Sequence, residues 1–319
     1  MQLYALLENN AKTSLPDMEI TGLTDDSRKV QPGMLFACIR GERFDGHTAA
    51  KDVLERGAAA VLADHDLGLG DRQILTEDTR ALYGKLCAAW FGHPERKMRF
   101  IGVTGTNGKT TITNLIKHIL TENGHKVGLI GTIQNEIGDE IIHTDNTTPF
   151  VYDLMALYAR MAEAGCDDVV MEVSSFGLVQ QRIGETHFAA AAFTNLTQDH
   201  LDYHGTMENY YQAKKLLFQR CDTAIIDTDD EYGKRLYGEV TCPRISYGSS
   251  SQADFYADAI KLRADGTSFW LCCGGKSYPV NLHLTGMFNV SNALAAVGAS
   301  TPVINMLVGF FMGLSTGAG

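Results

Sequence analysis

The chain has 319 residues, room for two domains of ordinary size. Hydrophobic residues make up 45% and charged residues 20%, with 32 Gly and 7 Pro, a composition that excludes disordered, collagen-like and disulfide-scaffold classes. The formal charge of −11, from 38 acidic and 27 basic residues, repels polyanions and gives nucleic acid no electrostatic reason to bind.

The N-terminus, MQLYALLENN, carries neither the basic flank nor the long apolar core of a signal peptide, so a cytoplasmic location is expected. Residues 1–97 hold short apolar runs at 34–39 and 58–63, a helical stretch over 48–56 and polar Gly-containing turns, which together predict a small α/β domain. HPERKM (93–98) reads as a linker. RFIGVTG (99–105) is an apolar strand running into a glycine turn, and Ile112, Leu115, Ile116, Ile119 and Leu120 give helical spacing to 110–123. Strands and helices then alternate: VGLIGTI (127–133), a helix over 151–164, DVVMEV (168–173), AAAFTNL (190–196), a helix over 207–219 and TAIID (223–227). Such alternation implies a largely parallel sheet with helices on its faces. Residues 245–285 switch to short strands with turns and read as an antiparallel appendage.

After Lys276 no Asp, Glu, Lys or Arg occurs, and 301–319 is almost wholly apolar or small. A membrane span needs about 20 such residues; this Gly-rich stretch stands as an anomalous tail behind a domain over 98–300. Seven scattered cysteines without a CxxC pair read as reduced thiols.

Chemistry concentrates at strand ends. Gly105-Thr106-Asn107-Gly108-Lys109-Thr110-Thr111 stands between a buried strand and a helix, where backbone N–H groups cradle phosphate oxygens. Lys109 neutralises the β/γ charge and the Thr110 hydroxyl suits Mg²⁺. The strict phosphate-loop pattern wants Gly where Val103 stands, so this is a variant. Glu172, ending DVVMEV, is placed like a second metal-binding acid beyond the carboxyl end of a parallel strand. The run Thr194–Gly205 puts two His and two Asp, His200 among them, within six residues and offers a further metal ligand.

In order along one α/β domain, GTNGKTT, Asn146-Thr147-Thr148-Pro149, Glu172-Val173-Ser174-Ser175, TNLTQDHLDYHG and Tyr211-Gln212-Ala213-Lys214-Lys215 resemble the Mur ligases. Within that family the chain is most similar to the UDP-N-acetylmuramoyl-tripeptide synthetases, and residues 23–46, from Leu23-Thr24-Asp25-Asp26 to Asp45-Gly46, resemble their uridine-binding domain. The resemblance implies an N-terminal uridine-binding α/β domain, a central ATP-binding parallel-sheet domain and an ADP-forming amide ligation through an acyl phosphate. Its expected partners are UDP-MurNAc-L-Ala-D-Glu and diaminopimelate or lysine, with ATP and Mg²⁺ as cofactors. It further implies Mg²⁺ ligation by Thr110, Glu172, His200 and a carbamylated Lys214, with Asn289 and Asn292 near the adenine. Ser27, Glu42, Arg43 and Phe44 fall at the uridine end; Asn146, Thr147, Thr148, Ser174, Gln180 and Arg182 fall on substrate positions. A guanidinium fork such as Arg182 pairs bidentately with carboxylate or phosphate.

Beyond Gly298 the likeness stops. The family's third, Rossmann-like domain, which selects the incoming amino acid, is expected to be missing, with a foreign or transporter-like segment at 301–319. Rival expectations are a nucleotide-binding fragment without turnover and a folylpolyglutamate- or cyanophycin-type ligase.

Overall fold

The computed structural model describes residues 1–41 and 44–304, so Glu42, Arg43 and most of the expected tail lie outside the described residues. Two compact units form. The first comprises Met1–Glu95 with Phe150–Ala159 and Gln180–Glu185; the second comprises Arg96–Pro149, Arg160–Val179 and the chain from Thr186 onward.

In the first unit, β1 (Gly22–Thr24), β2 (Met34–Ala37), β3 (Ala60–Ala63) and β4 (Gln73–Leu75) make a parallel sheet in sequential order. Both faces of β3 are buried, which its unbroken AVLA run allows. Helices α1 (Leu3–Leu7), α2 (Ala50–Glu55) and α3 (Thr79–Trp90) belong to this unit, as does the Phe150–Ala159 segment, helical from Val151. Asp78 caps α3 by accepting the Ala81 N–H at 3.0 Å. The helix expected over 48–56 is shorter: Asp45 caps a 3₁₀ turn, Gly46–Ala49, and α2 starts only after it.

The second unit is built on eleven strands. In chain order they are β5 (Arg99–Thr104), β6 (Val127–Ile130), β7 (Asn135–Ile137), β8 (Glu140–Ile142), β9 (Asp168–Glu172), β10 (Phe188–Phe193), β11 (Cys221–Asp227), β12 (Arg244–Gly248), β13 (Phe255–Arg263), β14 (Gly266–Cys273) and β15 (Lys276–Leu282). Their spatial order is β15-β14-β13-β12-β11-β10-β5-β9-β6-β7-β8. Strands β10, β5, β9 and β6 are mutually parallel neighbours. The antiparallel β13–β15 meander expected from 245–285 is present, but it is hydrogen-bonded into the same sheet, because β12 runs parallel to both β11 and β13. A β7–β8 hairpin on the opposite edge had no clear signal in its short, polar sequence.

Helices α4 (Lys109–Glu122), α5 (Val151–Glu163), α6 (Ser175–Val179), α7 (Leu201–His204), α8 (Met207–Lys215), α9 (Glu231–Glu239) and α10 (Met287–Ser300) follow. Ile112, Ile116, Ile119 and Leu120 of α4 are fully buried in one core with Val290, Leu294 and Val297 of α10. Each such side chain contributes roughly 1.5–3 kcal/mol by leaving water, so this packing anchors the start of α4 against the sheet. Val303 and Ile304 close the same core, and Arg99 donates to the Val303 carbonyl at 3.2 Å. No helix among the described residues is long and apolar enough to cross a membrane.

Candidate nucleotide and metal site

Because β10, β5, β9 and β6 are parallel neighbours, the loops that follow them leave one edge of the sheet together. The loops after β5, β9 and β10, with the strand and helix ends that flank them, carry Gly105–Thr111, Glu172, Ser174 and His200.

The loop after β5 turns at Gly105 and Gly108, with φ of +149° and +88°. A Cβ on Gly105 would lie 1.8 Å from the Thr194 hydroxyl oxygen, and one on Gly108 would lie 2.5 Å from the Asn292 amide oxygen, so only glycine fits either position. Neighbouring strand ends hold the loop in shape. After β10, Thr194 donates its hydroxyl to the Asn107 carbonyl at 2.7 Å, and the Asn195 side chain accepts the Asn107 N–H at 2.9 Å. Thr106 donates its N–H to the Asn195 carbonyl at 2.9 Å, and its hydroxyl accepts the Thr197 N–H at 3.0 Å. Among the described residues, the N–H groups of Gly108 to Thr111, at the first turn of α4, have no hydrogen-bond partner. Orphan donors of this kind, with the positive end of the helix dipole behind them, form an anion cradle.

Two lysines meet on one carbonyl. The Lys109 ammonium donates to the Gly105 and Thr106 carbonyls at 2.9 and 2.8 Å, and Lys214, reaching in from α8, donates to the Gly105 carbonyl at 2.8 Å. Lys214 is 2% exposed and lies over the Tyr210 ring, 4.5 Å from its centroid. Burial pushes its amine well below the ordinary lysine value, and the neighbouring Lys109 charge pushes in the same direction. Burial also lowers Lys109, against the pull of Glu172 and Asp199.

Glu172, at the end of β9, is 1% exposed. One carboxylate oxygen accepts the Thr110 hydroxyl and the Thr132 N–H, each at 2.9 Å; the other accepts the Thr132 hydroxyl at 2.9 Å. Thr132 follows β6 and was not singled out from sequence, where it is merely the end of an apolar run. Among the described residues the hydrogen-bond donors to the Glu172 carboxylate are all neutral groups. A buried carboxylate beside a hydroxyl is the oxygen donor set that a hard divalent cation takes. Thr110 and Glu172 also line a cavity of about 100 Å³ with Gln134 and Glu136.

The Asn146–Thr148 segment adjoins this group. Thr147 shares a hydroxyl contact with Thr132 at 3.1 Å, and Thr148, fully buried, donates to the Glu172 carbonyl at 3.0 Å. The Thr148 hydroxyl also accepts the Ser174 N–H at 3.0 Å, and the Ser174 hydroxyl accepts the Gly177 N–H at 3.0 Å. Asn146 presents its carbonyl to the Thr144 hydroxyl at 2.8 Å.

His200 occupies a left-handed position (φ 51°) before α7, with its half-exposed ring edge-on to Phe176 and Tyr210 and Nε2 3.5 Å from Asp199. Buried His204, not chosen from sequence, bonds the Ser175 hydroxyl at 2.9 Å and stacks on Tyr210; burial, then Lys214, holds its imidazole below the usual value. On α10, Asn292 donates to the Asn289 side chain at 3.1 Å, and Asn289 donates to the Thr285 carbonyl at 2.9 Å. Asp227, ending β11, accepts the Ser291 hydroxyl at 3.2 Å, and burial pushes its carboxyl up to about 6.

The remaining candidates belong to the first unit. Ser27 opens a 3₁₀ turn and gives its carbonyl to Arg56 at 2.6 Å, while Phe44 is 53% exposed. Arg182 makes a two-pronged contact with the Gln180 side-chain oxygen at 3.1 and 2.8 Å and lies 4.0 Å over the Phe150 ring. Glu42 and Arg43 fall outside the described residues.

Residues 103–300 match the Mur ligase middle domain, and residues 19–87 match the Mur ligase family catalytic domain. The UDP-N-acetylmuramoyl-L-alanyl-D-glutamate--2,6-diaminopimelate ligase of Syntrophomonas wolfei is 43% identical over 307 residues, covering 93% of this chain and 63% of that protein. The ligase of the same name from Clostridioides difficile is 42% identical over 295 residues, covering 91% of this chain and 61% of its own length. A solved UDP-N-acetylmuramoyl-L-alanyl-D-glutamate--2,6-diaminopimelate ligase superposes with a TM-score of 0.88 at 27% identity, covering 100% of this chain and 67% of that one. The chain thus spans about three-fifths of the length of these curated relatives.

Proposed function

Because this chain belongs to the Mur ligase family, we propose that it binds ATP and UDP-MurNAc-L-Ala-D-Glu for an ADP-forming amide ligation with diaminopimelate as the incoming amine. The names of its relatives support that substrate pair, and favour diaminopimelate over lysine. A carboxylate is too poor an electrophile for an amine. Transfer of the ATP γ-phosphoryl group to the D-Glu carboxylate makes an acyl phosphate, from which the amine displaces phosphate.

The observation that carries this reading is the convergence on one loop of orphan amides, two lysines and a buried carboxylate. In the reaction, the N–H groups from Gly108 to Thr111, with Gly105, Thr106 and Asn107 shaping the turn, bind phosphate oxygens. Lys109 stabilises the charge that develops in phosphoryl transfer. Mg²⁺, when bound, would neutralise phosphate charge. Thr110 and Glu172 would hold one such ion, and His200 with Lys214 would complete a second position beside Glu172. Lys214 would serve there as a carbamate. Its neutral amine attacks CO₂ and releases one proton to solvent, leaving an anionic oxygen ligand. The low pKa imposed by burial favours the neutral, reactive amine. Asn289 and Asn292 support the adenine end, and Asn146, Thr147, Thr148, Ser174, Gln180 and Arg182 orient the peptide. Ser27, Glu42, Arg43 and Phe44 receive the uridine.

Phosphate release from ATP tests this reading. It is expected to depend on UDP-MurNAc-L-Ala-D-Glu, with amide product appearing on addition of diaminopimelate. Binding of both ligands without product would favour a nucleotide-binding fragment. Failure to bind either would sink the assignment.

A further inference from the structure

A second cluster of ligand-type side chains lies in the first unit, independent of the nucleotide reading. Strands β2 and β3 are adjacent and parallel, pairing Ala37 with Leu62. The segments beyond their carboxyl ends therefore emerge side by side, one leading to Asp45 and His47, the other directly to Asp64 and His65.

His47 is 8% exposed. Its Nδ1 lies 2.6 Å from Asp45 Oδ1, which also accepts the His47 backbone N–H at 3.0 Å. A carboxylate at Nδ1 fixes the proton there and leaves the Nε2 lone pair free. That buried Nε2 has no hydrogen-bond partner of acceptable geometry, although Asp64 Oδ1 lies 3.1 Å away. The same Asp64 oxygen lies 2.5 Å from His65 Nδ1, and the two imidazole rings stand 4.8 Å apart. Arg40 approaches only the outer oxygens of the two acids, at 3.2 Å from Asp45 Oδ2 and 3.7 Å from Asp64 Oδ2, so the inner oxygens stay turned toward the imidazoles.

We propose that His47, Asp64 and His65 form a Zn²⁺ site, with His47 Nε2, Asp64 Oδ1 and a His65 ring nitrogen as ligands and Asp45 positioning His47. Two imidazoles and one carboxylate are a zinc donor set that leaves the fourth tetrahedral position to solvent or ligand. The donor atoms lie within 4.8 Å of one another; bonds of about 2.0–2.1 Å need donors about 3.3 Å apart. His65, whose side chain is 51% exposed, is the ligand whose rotation would have to close that difference. Asp45 supplies the carboxylate–histidine–metal relay that raises ligand basicity.

The test is a Zn²⁺ titration of the untagged, chelator-stripped chain in excess Mg²⁺, which occupies hard oxygen sites, with Co²⁺ as a spectroscopic probe. One equivalent of Zn²⁺ is expected to bind and to raise the melting temperature. His65→Ala and Asp64→Asn should each weaken binding at least tenfold, and Asp45→Asn about 10–100-fold. His65 is half-exposed, so its replacement should leave the secondary structure intact, which far-UV circular dichroism verifies. Absence of binding overturns the site. So does unchanged affinity in both ligand variants, or a Co²⁺ spectrum dominated by thiolate charge transfer.

Discussion

Lys109→Ala is expected to reduce UDP-MurNAc-L-Ala-D-Glu-dependent phosphate release by about 10²–10³-fold, the range for removal of one preorganised charge-stabilising donor. The size follows from placement. The ammonium caps two carbonyls of the loop whose amides are proposed to receive the phosphates, in a setting dry enough to lower its pKa. Electrostatic stabilisation gains strength as water is excluded. Stability should scarcely fall, because the lost bonds to Gly105 and Thr106 are offset by removal of a desolvated ammonium. Steady-state phosphate assays and a thermal melt of the variant check both halves. Activity retained within tenfold would refute the phosphate role.

Lys214→Met should separate function from stability even more sharply. It is expected to abolish turnover while stabilising the fold by about 1–4 kcal/mol in CO₂-free buffer, the range seen when buried charge gives way to apolar packing. Lys214 titrates lower when folded than when unfolded, where lysine lies near 10.4. The unfolded chain therefore binds more protons across that interval, and parent stability rises with pH through it. The cost is fully present below the folded pKa and fades as pH approaches the unfolded value. In Lys214→Met that component of the pH dependence should vanish, as urea melts at a series of pH values would show. A variant less stable than the parent, with unchanged pH dependence, would mean that the amine is not strained by burial.

The sequence reads well where local pattern decides. The apolar run of β5, the glycine turn and the spacing of Ile112, Ile116, Ile119 and Leu120 mark strand, loop and helix without tertiary knowledge. The position of Glu172 at the end of β9 was legible for the same reason, since DVVMEV reads as a buried parallel strand closing on a charged residue. Thr132 was not, because its role is set by β6 lying beside β9, a contact 40 residues away in sequence. Asn195 lies inside a run already noted, but its bracing of Asn107 is equally non-local. The His47–Asp64–His65 cluster arises from the pairing of β2 with β3, and no spacing rule links its members. At 245–285 the alternation of short strands showed an antiparallel meander, whereas the parallel β12–β13 junction that joins it to the main sheet is a matter of register.

In the proposed function, the loops after β5, β9 and β10 build one Mg²⁺-dependent nucleotide site. Calorimetric titration of the chain with ADP, with and without Mg²⁺, compared with Glu172→Gln, tests it most directly. One ADP per chain is expected, bound more tightly with Mg²⁺, with loss of that enhancement in Glu172→Gln; no ADP binding by the parent, or a Mg²⁺ effect unchanged in the variant, would rule the site out.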